Sequence, residues 1–123
     1  MSTLSAKTVT IVKNKKLELP KQPTLADFQD YVQTLETIRG FSQQTALEKC
    51  LLLGEEMGEL FKAIRKAHGL NIDPQSKVSA VSDELADIFI YLCAIASRFQ
   101  INLESAFRQK EEINKQRQWT KTN

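Results

Sequence analysis

Acids occupy positions in this chain where a core helix should not carry them. In Leu51–Lys66, residues Leu52, Glu56, Glu59 and Ala63 stand at i, i+4, i+7 and i+11, which places them on one stripe of a helix with 3.6 residues per turn. That stripe borders a strongly apolar side formed by Leu53, Met57, Leu60, Phe61 and Ile64. The arrangement recurs downstream. Ala80, Glu84, Asp87 and Tyr91 have the same spacing, beside Val81, Leu85, Ile88, Leu92 and Ile95. If the two helices pack together, Glu56, Glu59, Glu84 and Asp87 converge. Two like charges about 4 Å apart repel by roughly 4 kcal/mol at an intermediate effective dielectric, so the cluster must protonate, splay apart or bind a cation. Carboxylate oxygens without Cys or a nearby His favour magnesium or manganese over zinc. Magnesium keeps positions open for water and phosphate oxygens, which implies a substrate that carries phosphates.

The bland alternative is a pair of solvated helix faces, because E-x-x-E on a surface helix is usually that. The matched stripe on two apolar helices favours the metal. Glu55 lies about 100° from Glu56 around its helix, and is either an extra ligand or base, or a solvated acid. A di-iron carboxylate bundle would want E-x-x-H on two helices. The chain has one His, His68 at a helix end, better suited to bonding the last carbonyls. Lys110, Asn114 and Arg117 either lie on a polar surface beside Glu111 and Glu112, or continue an inward stripe toward phosphates as a point charge and a fork of donors. Tyr91 can hydrogen-bond a sugar or an acid ligand, or sit as a core aromatic with its hydroxyl at the edge. Phe41 and Trp119 can stack on a base or simply pack. The basic run Lys13–Lys16 has no interleaved aromatics and reads as solvated.

The elements that must hold these groups are helices. The 123 residues suffice for one domain. Hydrophobic content of 41% against 26% charged residues fits a globular protein. A net charge of +2 gives no argument for nucleic acid or a membrane surface. No apolar run approaches the roughly 18 residues of a membrane helix, and the N-terminus has no secretory pattern. Cys50 and Cys93 both sit in helical patterns and are expected as buried free thiols in a reducing cytoplasm.

Residues 1–22 read as an arm: Thr8–Val12 has strand character, Lys13–Lys16 can turn, and Leu17–Leu19 can return. Pro20 and Pro23 mark the boundary of a domain over 23–119, leaving 120–123 as a tail. Thr24 with Asp27 can cap a first helix, whose apolar positions are Leu25, Phe28, Val32, Leu35 and Ile38, and Gly40 can end it. Thr45 with Glu48 starts a second helix that runs to about His68, with Gly69 placed to terminate it. Asp73-Pro74 suits the start of a third, reaching about Phe99. Asn102 can cap a fourth, Leu103 to about Trp119, buried through Leu103, Ala106 and Phe107. The third helix has a second apolar strip, Ala86, Ile90 and Cys93. A helix apolar almost all round needs cover on more than one side. The expected architecture is therefore an all-α bundle of four to five helices, completed by a homodimer or homotetramer.

These motifs together resemble those of the MazG-like nucleotide pyrophosphohydrolases. Glu55-Glu56-Met57-Gly58-Glu59 followed by Glu84-Leu85-Ala86-Asp87 is similar to their E-E-x-x-E … E-x-x-D signature, and Lys110-x-x-x-Asn114-x-x-Arg117 to their phosphate-side motif. The resemblance spans about residues 25–119; the arm has no counterpart in it. It implies an all-α fold that pairs into dimers, and magnesium-dependent hydrolysis of nucleoside triphosphates between the α- and β-phosphates. By position it implies Glu56, Glu59, Glu84 and Asp87 as metal ligands, and Lys110, Asn114 and Arg117 on the phosphates. Tyr91 and Arg39–Phe41 would lie near sugar and base, and Glu55 or Glu56 would serve as the general base. The short form resembles members acting on deoxynucleotides in nucleotide-pool house-cleaning. The rival class is a non-catalytic helical dimer that binds a nucleotide or a protein and keeps the acids for stability or metal sensing.

Overall fold

A computed structural model of the chain describes residues 17–118. The expected strand and turn over 8–16, Trp119 and the tail lie outside the described residues. Four helices follow one another: α1 Leu25–Arg39, α2 Ala46–Ala67, α3 Val81–Arg98 and α4 Leu103–Lys115. No strand occurs among the described residues.

The caps are the ones the sequence specifies. Thr24 Oγ1 accepts from Asp27 N–H at 3.2 Å, and Asp27 Oδ2 accepts from Thr24 N–H at 2.8 Å. Thr45 and Glu48 repeat this reciprocal pairing at the start of α2. Gly40 ends α1 at φ 78°, a left-handed conformation that favours glycine. At the end of α2, His68 Nδ1 lies 3.1 Å from the Ile64 carbonyl oxygen, the terminal role expected of it. Asn102 caps α4 by accepting from Ser105 N–H at 2.9 Å.

Two boundaries differ from expectation. The third helix starts at Val81, not at Asp73-Pro74. Asp73 Oδ1 accepts from Gln75 N–H at 2.9 Å and its carbonyl from Ser76 N–H at 3.0 Å, closing a local turn that does not propagate. The last helix stops at Lys115 rather than near Trp119. Its final turn has little to pack on, with Ile113 55% exposed.

α3 is the central element: α2 and α1 both pack against it, and α4 rests chiefly on α1. The core is small. Val32 and Leu35 of α1 meet Cys93 and Ala94 of α3, with Leu17, Phe28, Tyr31, Phe89, Ile90 and Leu103 packed around them. Phe28 and Phe89 meet edge to face at 5.4 Å between centroids. Gln29 ties α1 to the start of α4, donating to Ile101 O at 2.8 Å and accepting from Leu103 N–H at 2.9 Å.

Much of the apolar side expected to be buried is not. Phe61 is 56% exposed and Leu85 53%, and Met57, Ile64 and Leu92 are exposed beside them in type if less in degree. Cys93 is buried, and burial raises its thiol pKa, but Cys50 is exposed, correcting the expectation of two buried thiols. Cys50 sits between Leu47 and Leu51, both strongly exposed, on a side of α2 that no other helix among the described residues covers. No helix among the described residues is long and apolar enough to cross a membrane.

Candidate functional site

The apolar spacing that packs α2 on α3 also turns their acid stripes toward each other. One carboxylate oxygen from each of Glu56, Glu84 and Asp87 can be chosen so that all three lie within 4.8 Å of one another. Glu84 is buried, Glu56 half-buried and Asp87 exposed. The electrostatic cost falls on Glu56. Burial first, then its hydrogen bond with Glu84 and the charges of Asp87, Glu84 and Glu59, push its carboxyl up to about 7. The donor set is hard oxygen from two helices, and it fits a magnesium-sized divalent cation that would relieve this conflict. Glu59 is not one of these three. Its carboxylate lies 3.7 Å from Lys62 Nζ, yet its charge still reaches Glu56. Glu55 is exposed, and its charge is felt at Tyr91, whose phenol is raised by burial and then by Glu56, Asp87 and Glu55.

The acids open into a cavity of about 470 Å³. Its walls come from three helices and the α1–α2 connection. Glu56 and Asp87 lie at it, as do Tyr91, Arg39 and Phe41, the residues expected near sugar and base. Five of the eleven residues expected at the site thus line one opening.

The fold also brings in four residues that the sequence reading missed: Glu36, Gln44, Lys49 and Arg98. Glu36 is buried on α1 and pairs with two cations. Arg98 grips it with both arms, Nη1 to Oε1 at 2.8 Å and Nη2 to Oε2 at 2.9 Å, while Lys49 Nζ lies 3.0 Å from Oε2. Burial alone would raise the Glu36 carboxyl, but these hydrogen bonds and charges hold it below its ordinary value. Lys49 Nζ also lies over two rings, 5.2 Å from the Phe41 centroid and 5.4 Å from that of Tyr91. Arg98 fastens the α1–α2 connection, donating to Gln44 O at 2.6 Å and Phe41 O at 3.2 Å. A signal for two of them was present. Lys49 precedes Glu56 by seven positions and Arg98 follows Tyr91 by seven, so each extends an acid stripe.

Lys110, Asn114 and Arg117 are not brought to the acids within one chain. Lys110 and Asn114 line a different, apolar groove with Phe89, Leu92 and Ile95 of α3. Phe89 and Leu92 point about 100–160° away from Asp87 and Tyr91 around α3, and Ile95 about 40–80°. Arg117 is exposed beyond the end of α4.

Comparison with known proteins agrees with this geometry. The family profile of the MazG nucleotide pyrophosphohydrolase domain matches residues 43–119. Two similar proteins are both described as dCTP pyrophosphatase 1, from Mus musculus and Rattus norvegicus. Each is 31% identical over 99 residues, covering 68% of this chain and 58% of the relative. The chain thus spans a little over half the length of the relatives it matches. No solved structure matches it significantly.

Proposed function

The chain belongs to the MazG nucleotide pyrophosphohydrolase family, and from that premise we propose that it hydrolyses nucleoside triphosphates, deoxynucleotides among them, at the α–β phosphoanhydride. The products are a nucleoside monophosphate and pyrophosphate, and the role is nucleotide-pool house-cleaning. The observation that carries this reading is the meeting of Glu56, Glu84 and Asp87, from two helices, at the mouth of a cavity with aromatic walls.

Glu56, Glu59, Glu84 and Asp87 would hold magnesium, with manganese as a substitute. Bound there, the cation would supply neutralisation of the triphosphate and an acidified water. Glu55 or Glu56 takes the proton from the water that attacks the α-phosphorus, and the bond to the bridging oxygen of pyrophosphate breaks. Tyr91, Arg39 and Phe41 would flank the sugar and base.

Lys110, Asn114 and Arg117 would bind the phosphates, stabilising charge on the departing pyrophosphate. Because α3 separates them from the acids of their own chain, this role requires a second copy to present them. The exposed apolar residues of α2 and α3, Phe61 and Leu85 among them, supply a surface on which two copies would pair.

Pyrophosphate release from a panel of ribo- and deoxynucleoside triphosphates, with and without magnesium, tests the proposal. Magnesium-dependent release is expected. Tight nucleotide binding with no turnover of any member would favour the non-catalytic alternative.

A further inference from the structure

Lys49 is 4% exposed, and a lysine is almost never buried unless paired. Its pairing with Glu36 permits that burial without explaining it. Arg98 already grips both oxygens of Glu36, at 2.8 and 2.9 Å, so Lys49 is a second cation on one buried carboxylate. An apolar side chain of the same length would avoid the desolvation cost of the ammonium. What the charge adds is a hold on two rings. Lys49 Nζ lies 3.0 Å from Glu36 Oε2, 5.2 Å from the Phe41 centroid and 5.4 Å from that of Tyr91. Both rings are within the roughly 6 Å reach of a cation–π contact. The three groups come from different elements: Glu36 from α1, Phe41 from the α1–α2 connection and Tyr91 from α3. Phe41 is 43% exposed, so packing alone holds its ring weakly.

We propose that Lys49 is a positioning residue: anchored by Glu36, its ammonium holds the Phe41 and Tyr91 rings in the orientation that receives the nucleoside part of the substrate. The inference rests on the pyrophosphohydrolase reading for what occupies the cavity. The ammonium takes one face of each ring, so the nucleoside meets the opposite face or the edge. Lys49 itself touches no substrate. It stands seven residues before Glu56, about 10 Å along the helix axis, away from the carboxylates that would hold the metal and take the proton. Its charge therefore governs binding and leaves the chemical step alone.

The test removes the charge and keeps the length. In Lys49→Met, Arg98 still pairs Glu36. Its KM for dCTP is expected to rise about tenfold, the size of one desolvated cation–π contact, with kcat within about twofold of the wild type. Lys49→Arg keeps a cation that can lie over the rings and should restore KM. The double variant Phe41→Leu, Tyr91→Leu decides the route: in that background Lys49→Met should raise KM no further. A rise that persists without the rings, or a fall in kcat to match it, would overturn the inference. Trifluorophenylalanine in place of Phe41 keeps the lysine and the shape of the ring but weakens its pull on a cation. KM should rise there too, which keeps the test decisive if Lys49→Met fails to fold, and an unchanged KM would overturn the inference. A readout without substrate separates it from the hydrolytic reading. The chain has two tyrosines, Tyr31 and Tyr91, so fluorotyrosine labelling gives two fluorine NMR signals. Lys49→Met should move that of Tyr91 and leave that of Tyr31. A moved Tyr91 signal, with no pyrophosphate from any triphosphate, would sink the hydrolytic reading and leave the hold on the rings standing. An unmoved signal overturns that hold itself.

Discussion

Above neutral pH and without a divalent cation, Glu56 is charged among Glu84, Asp87 and Glu59. Its folded-state value of about 7 lies above the ordinary 4.5, so the native state binds the proton more tightly than the unfolded chain does. The stabilisation linked to Glu56 is complete below the ordinary value and is lost as pH climbs through about 7. Thermal melts in chelator should therefore show Tm falling as pH rises from 4.5 to about 7, the window set by these two values. Magnesium should flatten the fall, and Glu56→Gln should remove most of it. The same substitution should lower turnover by about a hundredfold or more, as should Asp87→Asn, since each removes a charge placed for the reaction. Helical content should survive in both. Full activity in either variant would refute the assigned ligands. The identity and spacing of these acids were legible in the chain. How deep each of them lies was not, because packing between helices sets it: Glu84 inside, Asp87 outside, Glu56 between them.

The connection between α1 and α2 has no regular structure of its own. It is held by a capping box at Thr45, a glycine turn at Gly40, and Arg98 reaching across from α3. The guanidinium serves Glu36, Ala94 O, Phe41 O and Gln44 O together. Arg98→Met leaves the buried Glu36 with Lys49 alone. Breaking a buried pair in this way costs about 3 kcal/mol, which urea unfolding monitored by circular dichroism would read. KM should rise more than kcat falls, because the loop that carries Phe41 and Gln44 loses its anchor. Thr45→Ala removes only a cap and should cost about 1 kcal/mol. Caps and helix ends at α1 and α2 could be read locally, since they depend on residues three apart. The start of α3 could not: Asp73-Pro74 has the composition of a helix start, but its turn closes on itself.

One chain of 14.0 kDa leaves Phe61, Leu85, Phe107 and their neighbours uncovered. Sedimentation at micromolar concentration should give a mass of two or four chains. Phe61→Glu should shift it toward one and reduce activity, if a second copy supplies Lys110, Asn114 and Arg117. Full activity of a strictly monomeric protein would remove that role from the three residues.

Helix type, caps and the stripe that carries the acids follow from 3.6-residue periodicity and neighbours three or four apart, so the sequence by itself determined them, along with the family signature. Only the tertiary structure decided how each helix is rotated against the next. α3 is apolar on more than one side, and no local rule says which side meets α2. That choice brought Glu84 to Glu56, set Lys49 beside Tyr91 and Glu36, and left Lys110 and Asn114 on the far side of α3. It depends on packing between residues dozens of positions apart, and short-range spacing carries no record of that.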